Sequence, residues 1–390
     1  MNKKSFESAI YLIALIAAAV HGEKAPSPGN FSNWGELLEL ANKHSVANIV
    51  YYPLNQADFA IEQSVMAGFR EARNKAVSRE AHQELEKEQI AQRLEEHSIR
   101  FIFLKGSIMK ELYPRVDMRT MADIDILIEK SNAPAVRDIL LSLGYEHRLD
   151  CSLHDTYYKR PVMNVEIHKQ MMDASFEIVN SYFGNGFDRA SLIKGHEFRY
   201  CLSKEDFYIF LIAHTAKHFY GTGTGIRSIL DIYIYLCAYE KLLDWFKISE
   251  ALKKLELLNF ANDISAISKL WFGGEKPARG FEKMEEYIIS NGTYGKSENE
   301  ISNRFIAHYG DSKFLLIRKL RYFVSTAFPG IKYMSVNYPA LEKAPVLLPT
   351  FWVARLFGTI TRRRKNIGYR MKGVAGLKKD DLVARPQYKK

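Results

Sequence analysis

The sequence predicts an α+β protein, with a small mixed β-sheet core flanked by N-terminal helices and followed by a C-terminal helical domain. Short apolar runs bounded by turn residues concentrate in residues 99–200, whereas apolar residues at three-to-four spacing dominate on both sides. The 390 residues also exceed one compact domain. We therefore predict an N-terminal helical region at 1–98, an α/β core at 99–200, a helical domain at 201–330 and a basic tail at 331–390.

The N-terminal region is predicted to be helical. Apolar residues recur at helical spacing in Trp34–Asn42, and Phe59–Ile99 contains few helix breakers. The apolar run Ala9–Val20 follows two lysines, as the hydrophobic part of a signal peptide does, and a buried helix is the favoured alternative. Because the run is too short to cross a bilayer, we predict no stable membrane span.

The central elements alternate between strand and helix. A short apolar run ends in a Gly-Ser turn that opens a helix, and glycine or proline separates the later runs. The predicted elements are a strand at Arg100–Lys105, a helix at Ser107–Tyr113, a strand at Ile124–Glu129, a helix at Pro134–Leu143, and strands at Asp155–Lys159 and Val162–His168.

Helical periodicity returns after Lys204. Between the later helices, Gly273–Asn299 is rich in Gly, Lys and Glu, which favours loops. The predicted helices are Phe207–Phe219, Ile226–Leu242, Trp245–Leu255 and Lys313–Phe323.

The charge of the chain is concentrated at one end. Residues 362–390 contain eleven Lys and Arg against two Asp, which leaves +9 of the formal +10 in this segment. We interpret the tail as a solvated, disordered end, and contact with nucleic acid or an acidic membrane stays open as an alternative. The three cysteines, Cys151, Cys201 and Cys237, form no Cys-x-x-Cys pair, which favours a reducing cytoplasmic location over a disulfide framework.

Three acidic residues at strand spacing form the strongest chemical pattern. Asp123 and Asp125 are two residues apart on a predicted strand, so both side chains emerge on one face, while the isoleucines between and after them point into the core. Glu166 has the same setting on a later strand. A solvated acidic face is one explanation. The other is a magnesium site, since the ligands are all oxygen and two Mg²⁺ ions can align a hydroxyl with a phosphorus atom.

A turn that precedes the acids has the composition of a phosphate contact. Lys105, Gly106 and Ser107 end the first core strand, and a glycine there lets backbone amides approach phosphate oxygens while the lysine supplies a positive charge. Gly-Ser turns are common, so the signal comes from the position of this turn before the acidic strand.

Together these residues resemble a family of nucleotidyltransferases related to the DNA polymerase beta superfamily. The resemblance lies in Leu104–Ser107, Arg119–Ile128 and Val165–His168, which match a Lys-Gly turn, an Arg-x-x-x-Asp-x-Asp block and a later strand acid. It implies a nucleotidyltransferase core in which Asp123, Asp125 and Glu166 bind two Mg²⁺ ions, and Lys105, Gly106, Ser107 and Arg119 contact the nucleotide phosphates. A surface ion pair of Arg119 with Asp117 or Asp123 is an alternative. The turn lacks the doubled Gly-Ser form of the best-studied superfamily members.

The resemblance continues into the helical region and covers most of residues 30–245. His214, His218, Arg227 and Asp231 match the pattern of paired histidines, a glycine turn and an Arg-x-x-x-Asp helix, and with His168 they are candidates to line the pocket. The histidine spacing also permits zinc, and Arg227 with Asp231 also suits a helix ion pair. We favour pocket or interior roles for the histidines because no thiolate or His-Glu-x-x-His motif accompanies them.

These observations predict Mg²⁺-dependent transfer of a nucleoside monophosphate from an NTP such as ATP to a hydroxyl, with release of pyrophosphate. The acceptor is open: a sugar, a small antibiotic-like molecule, a peptide and a protein side chain all offer a hydroxyl. The main alternative is a catalytically inactive protein of the same fold that binds a nucleotide or a partner. A second alternative, a nucleic-acid-binding factor that uses the basic tail, predicts a steep dependence of binding on salt.

Overall fold

The computed structural model of the chain has the predicted α+β fold. It describes residues 3–150, 154–161, 163–172, 176–275, 280–295, 315–331, 334–335, 338 and 340–362. The basic residues 363–390, on which the prediction of a disordered tail rests, and Cys151 lie outside these ranges. The chain divides into two compact units: residues 1–217, 224–281 and 288–293, and residues 218–223, 282–287 and 294–390.

Four helices precede the sheet: α1 (Lys3–His21), α2 (Trp34–Lys43), α3 (Ala47–Leu54) and α4 (Gln63–Glu96). The apolar run of α1 is buried on several sides, with Leu12, Leu15 and Ile16 fully covered. In α4, Ile90, Ala91 and Leu94 form the apolar stripe of an otherwise charged helix. Among the residues described, no helix is both long and apolar enough to cross a membrane.

The core elements follow in the predicted order, with additions. They are β1 (Phe101–Phe103), α5 (Gly106–Met109), β2 (Ile124–Ile128), α6 (Ala133–Ser142), β3 (Glu146–Asp150), β4 (His154–Lys159), β5 (Met163–His168), α7 (Glu177–Phe183), β6 (Ala190–Leu192) and β7 (Arg199–Leu202). These strands form one mixed sheet in the order β3-β4-β5-β2-β1-β7-β6, in which β2 is parallel to β5 and antiparallel to β1.

Apolar side chains cover one face of the sheet and form a hydrophobic core with the helices above it. Ile124, Ile126 and Ile128 of β2, predicted to point inward, are at most 1% exposed. They pack with apolar residues of β1 and β5 beneath α4 and α6. Burial of each such side chain contributes roughly 1.5–3 kcal/mol, so this cluster fixes which face of β2 and β5 points inward. The alternate residues of the same strands must point to the opposite face.

Helices dominate after the sheet: α8 (Lys204–Tyr220), α9 (Ile226–Tyr239), α10 (Trp245–Lys254), α11 (Leu258–Gly273) and α12 (Glu282–Asn291). The prediction of loops throughout Gly273–Asn299 is wrong where α12 forms. Its acidic residues Glu282 and Glu285 occupy the first turn, where they favour helix, and Met284 and Ile288 are buried at helical spacing.

The second unit contains further helices: α13 (Leu315–Ala327), α14 (Ala340–Lys343) and α15 (Leu348–Arg362). α15 shows that part of the segment predicted as a basic tail is helical. Trp352 of α15 donates its indole N–H to the carbonyl of Pro329 at 2.8 Å and packs edge-on against Phe328, with 5.3 Å between ring centroids. These contacts join α13 to α15.

Candidate active site

Two parallel strands bring the central acids together. β2 and β5 pair so that Asp125 lies opposite Glu166 and Leu127 opposite His168. Residues opposite each other on neighbouring strands share a face, and so do residues two apart. Asp125, Glu166 and His168 therefore emerge side by side on the face of the sheet that points away from the apolar core.

The carboxylate of Asp125 accepts hydrogen bonds from two basic side chains. Lys105 Nζ lies 3.0 Å from Asp125 Oδ1, and His168 Nε2 lies 2.6 Å from the same oxygen. Asp125 is 4% exposed, and burial alone raises the pKa of a carboxyl. Lys105 and His168 outweigh burial and hold the pKa of Asp125 well below its usual range. In return, Asp125 raises the pKa of Lys105 against the opposing effect of burial.

The same side chains form a candidate metal centre. Asp125, Glu166 and His168 each offer a donor atom, and these atoms lie within 4.8 Å of one another. The donor set fits a divalent cation, since carboxylates suit Mg²⁺ and an imidazole extends the range to transition metals. The predicted ligands Asp123, Asp125 and Glu166 overlap this group in two residues. His168, predicted only as a pocket residue, takes the third place.

Asp123 lies beside the group rather than on the strand. β2 begins at Ile124, where pairing with β5 starts, so the prediction that Asp123 is a strand residue is wrong by one position. Burial, followed by the negative charges of Asp125 and Glu166, raises the pKa of Asp123 to about 7. Near neutral pH the protonated form of Asp123 is therefore favoured more than that of an ordinary aspartate. A cation bound at this cluster would favour its ionised form.

The turn after β1 places Lys105 in an unusual backbone conformation. Its φ is +47°, in the region that side-chain-bearing residues rarely adopt. At the next position, a Cβ added to Gly106 would lie 2.8 Å from both Cγ and Sδ of Met121, so any larger residue there would displace the Met121 side chain. Strained backbone of this kind concentrates at functional sites. In this conformation the Lys105 ammonium reaches Asp125.

Ser107, predicted to contact phosphate, is 2% exposed. Its amide donates to the carbonyl of Leu104 at 3.3 Å, and its hydroxyl points at Met121 Sδ at 3.8 Å. Ser107 therefore makes its contacts within the turn and is closed off from solvent. Its contact with a nucleotide stays a prediction that requires the turn to open.

Arg119 forms a buried ion pair with Asp231. Its Nε donates to Oδ1 at 2.7 Å and its Nη2 to Oδ2 at 2.8 Å, while the hydroxyl of Tyr113 donates to Oδ1 at 2.7 Å. Burial opposes the charge on Arg119, but Asp231 outweighs it and raises the pKa of the guanidinium. Arg119 is thus held by a protein carboxylate, and its predicted contact with phosphate stays untested.

This pairing corrects one alternative that the sequence left open. The sequence alone also allows a surface ion pair of Arg119 with Asp117 or Asp123. Instead its partner lies on α9, 112 residues further along the chain, and the pair is buried. Residue spacing cannot reveal such a partner, because the pair forms only when α9 packs beside the segment that precedes β2.

The segment 117–121 is held in place by Asn48 and Gln83, which the sequence does not single out, and by Arg227, which is a predicted pocket residue. Asn48 of α3 and Gln83 of α4, each at most 4% exposed, donate their amides to backbone carbonyls of this segment at 2.7 and 3.2 Å. Arg227 of α9 lies 3.3 Å from another, the carbonyl of Thr120. The only sequence signal was a polar residue on an otherwise apolar helix, as at Asn48. These bonds fix the approach to Asp123 and Asp125.

Comparison with known proteins agrees with this geometry. The family described as uncharacterised nucleotidyltransferase matches residues 30–273, which is more than half of the chain. The chain belongs to this nucleotidyltransferase family. The matched range contains the Lys105 turn, the acids on β2 and β5, and the buried pair of Arg119 with Asp231. Each feature of the candidate site therefore lies inside the family region.

Among solved structures, the chain is similar to the antibiotic-resistance factor ANT(2'')-Ia, determined in solution. Sequence identity is 14% and the TM-score is 0.26, over 50% of this chain and 91% of that chain. A similarity at this level carries no information about the substrate of this chain. No curated protein matches the chain.

The family region also contains the paired histidines of α8. His214 is half-buried and packs against Phe210 with 6.1 Å between ring centroids, and His218 begins the second unit. In the part of the chain that the structure describes, neither histidine belongs to a cluster of three metal-ligating side chains. The geometry brings together Lys105, Asp125, Glu166 and His168, whereas His214 and His218 stay predicted pocket residues.

Proposed function

We propose that this nucleotidyltransferase moves a nucleoside monophosphate from an NTP to a hydroxyl of an acceptor molecule and releases pyrophosphate. The observation that carries the proposal is the cluster of Asp125, Glu166 and His168, together with Lys105 at 3.0 Å from Asp125. Acids that repel one another sit on one sheet face beside a strained basic turn, inside the region that matches a nucleotidyltransferase family.

The Lys105 turn is the proposed binding place of the triphosphate. Gly106 opens a short helix, and the ammonium of Lys105 extends over the sheet face beside it. An ammonium is a strong partner for phosphate oxygens. Lys105 is held on Asp125 in the free protein, so it is already oriented where a negatively charged ligand arrives.

Asp125 and Glu166, with His168 or Asp123 beside them, are the residues that would hold Mg²⁺. When bound, the cation supplies charge neutralisation for the phosphates. The protein contributes the alignment: β2 and β5 keep the two carboxylates in register, and the apolar core beneath them prevents their rotation out of the face.

The proposed reaction is a single displacement at the α-phosphorus. The acceptor oxygen forms a bond to the α-phosphorus, the bond from that phosphorus to the oxygen bridging to the β-phosphate breaks, and pyrophosphate leaves with the electron pair. Glu166, part-exposed at the edge of the cluster, accepts the hydroxyl proton. Lys105 stabilises negative charge that develops on the phosphate oxygens.

One observation favours a second function, nucleotide binding without transfer. The charge of Asp125 is already balanced by the Lys105 ammonium, and the same carboxylate accepts a hydrogen bond from His168, so a protein of this fold that only binds nucleotide would keep the same arrangement. Such a protein binds Mg-ATP by calorimetry and releases no pyrophosphate from it.

The decisive experiment measures pyrophosphate release from each of the four NTPs, with Mg²⁺ and a small-molecule cell extract as the source of acceptor. The wild type and the Asp125→Asn variant are compared. We expect release by the wild type and a loss of at least about a hundredfold in the variant, the usual effect of removing one electrostatic group from such a site.

Asp138→Asn is the matched control, since Asp138 is an exposed aspartate on α6, away from the cluster. It should keep the wild-type rate. Equal rates for Asp125→Asn and the wild type would contradict the site. Absence of release by the wild type with all four NTPs, combined with tight Mg-ATP binding, would favour the binding function.

A further inference from the structure

A pocket lies on the same sheet face as the acids. Its volume is about 630 Å³, and its lining contains two arginines, an asparagine, a tyrosine and a proline: Arg148, Tyr158, Arg160, Pro161 and Asn164. Four of these residues come from the β4–β5 hairpin and its turn, and Arg148 comes from the neighbouring strand β3. The lining is basic and polar, in contrast to the acidic cluster beside it.

The strand register makes the pocket continuous with the candidate active site. Thr156 of β4 lies opposite Glu166, and Tyr158 lies opposite Asn164. Asn164 and Glu166 are two residues apart on β5 and therefore share a face, about 7 Å from each other along the strand. The pocket thus begins one side-chain row away from Glu166.

The groups that line the pocket are available to a ligand. Arg160 is exposed, and within the described ranges its guanidinium makes neither an ion pair nor a hydrogen bond. The amide of Asn164 likewise has no partner among these residues. Arg148 stacks on Tyr158, with 4.7 Å from its guanidinium carbon to the ring centroid, and among the side chains that the structure describes only Glu146, at 3.4 Å, offsets its charge. Two guanidinium groups therefore give the pocket a net positive charge.

The sheet order separates this pocket from the proposed triphosphate site. Lys105 follows β1, which lies on one side of β2, whereas β5, β4 and β3 lie on the other side. A nucleotide whose phosphates meet Lys105 and Asp125 leaves the β4–β5 side of the cluster open. A molecule that brings its hydroxyl to Glu166 from that side crosses the pocket.

We propose that the pocket binds an anionic group of the acceptor, a phosphate or a carboxylate, so that the acceptor is an anionic hydroxyl compound and not a polycation. Paired guanidinium groups with an amide beside them are the donors that such oxygens need, since each guanidinium offers a planar fork of N–H groups. The anionic group binds about 5–10 Å from the hydroxyl that reacts, which is one to two times the distance between neighbouring strands of the sheet. The assignment of the acceptor rests on the proposed function, whereas anion binding by the pocket does not.

The first test identifies the class of acceptor. A small-molecule extract is separated into fractions retained by an anion exchanger, retained by a cation exchanger and retained by neither. Each fraction is incubated with the full-length protein, Mg²⁺ and NTP labelled at the α-phosphate. We expect label to appear in compounds of the anionic fraction. Prior phosphatase treatment removes acceptor activity if the group is a phosphate and leaves it if the group is a carboxylate.

Variants of the pocket then link the acceptor to these residues. Arg160→Gln and Arg148→Gln should each raise KM for the labelled acceptor about tenfold, the effect of losing one charged hydrogen bond at a partly exposed site. The KM for NTP should stay within about twofold, because the triphosphate binds across the sheet. Arg137→Gln, a change of an exposed arginine on α6, is the control and should alter neither constant.

A second measurement tests anion binding without any activity. Full-length protein is treated with phenylglyoxal, which modifies exposed arginines, with and without inorganic phosphate as the probe. Mass spectrometry follows modification of Arg148, Arg160 and Arg137. Phosphate at its dissociation constant should slow modification of Arg148 and Arg160 about twofold by occupancy and leave Arg137 unchanged.

The outcomes separate the two proposals. Transfer of label to neutral or cationic compounds, with Arg148→Gln and Arg160→Gln at wild-type KM, overturns the acceptor assignment and leaves the proposed function intact. Equal effects of phosphate on all three arginines overturn anion binding by the pocket. If no fraction is labelled and no pyrophosphate is released, the proposed function fails and the acceptor assignment falls with it.

Discussion

Breaking the buried pair of Arg119 and Asp231 tests how the fold supports the candidate site. The Asp231→Leu variant removes both charge-assisted bonds to Arg119, at 2.7 and 2.8 Å, together with the acceptor of the Tyr113 hydroxyl. Arg119 is 9% exposed and Asp231 5%, so solvent cannot replace the lost partner. Removing one member of such a pair costs about 3–5 kcal/mol, because the other charge stays buried without compensation.

The double variant gives a second test of the same ion pair. Arg119→Met with Asp231→Leu removes both charges, so it should be more stable than either single variant and recover most of the loss. The assay is urea unfolding followed by circular dichroism and by tryptophan fluorescence, with coincident transitions required before free energies are compared.

Asp138→Asn serves as the control and should stay within about 0.5 kcal/mol of the wild type. Two results would refute the reasoning. One is a loss below about 1 kcal/mol in both single variants; the other is a double variant whose loss equals the sum of the single losses, since independent sites add.

Three further predictions concern single residues. The pKa of buried His44 is lowered from 6.5 to about 4 mainly by burial. The unfolded chain therefore binds more protons than the folded chain between these pH values, and the free energy of unfolding should fall by about 3 kcal/mol as the pH drops from 6.5 to 4. His44→Gln should make the free energy of unfolding, measured with urea, less dependent on pH, and an unchanged dependence contradicts the assignment. Gly106→Ala forces Met121 to move, since the new Cβ meets it at 2.8 Å, and should lower the free energy of unfolding by about 1–3 kcal/mol. The shift of the urea midpoint measures this loss, and an unshifted midpoint shows that Met121 moves without cost. Lys105→Met should raise KM for NTP about tenfold or more by loss of a charge-assisted contact, and an unchanged KM in steady-state kinetics removes Lys105 from the nucleotide site.

Much of the sheet core could be predicted because its strands alternate visibly. In β2 the isoleucines alternate with Asp125, and in β5 apolar residues alternate with Glu166 and His168. Such a pattern fixes the face of each residue. Strands without the pattern cannot be predicted in this way: β3 has the sequence Glu-His-Arg-Leu-Asp, and only the structure shows that it pairs with β4 at the sheet edge.

Residue spacing within single strands predicted part of the candidate site. Asp125 and Glu166 followed from strand spacing, but their alignment depends on the pairing of β2 with β5, which joins residues about forty positions apart. The role of His168 beside Asp125 depends on the same register. The backbone of Lys105, with φ +47°, could not be anticipated, since lysine rarely adopts it.

The measurement that tests the central claim most directly is the fate of labelled phosphate. The wild-type protein is incubated with Mg²⁺, the acceptor-containing extract and NTP labelled either at the α- or at the γ-phosphate. Nucleotidyl transfer predicts that α-label enters the product and γ-label leaves as pyrophosphate, with both processes lost in Asp125→Asn. Entry of γ-label into the product would contradict the account, because it would show phosphoryl transfer, and so would transfer of α-label by Asp125→Asn at the wild-type rate.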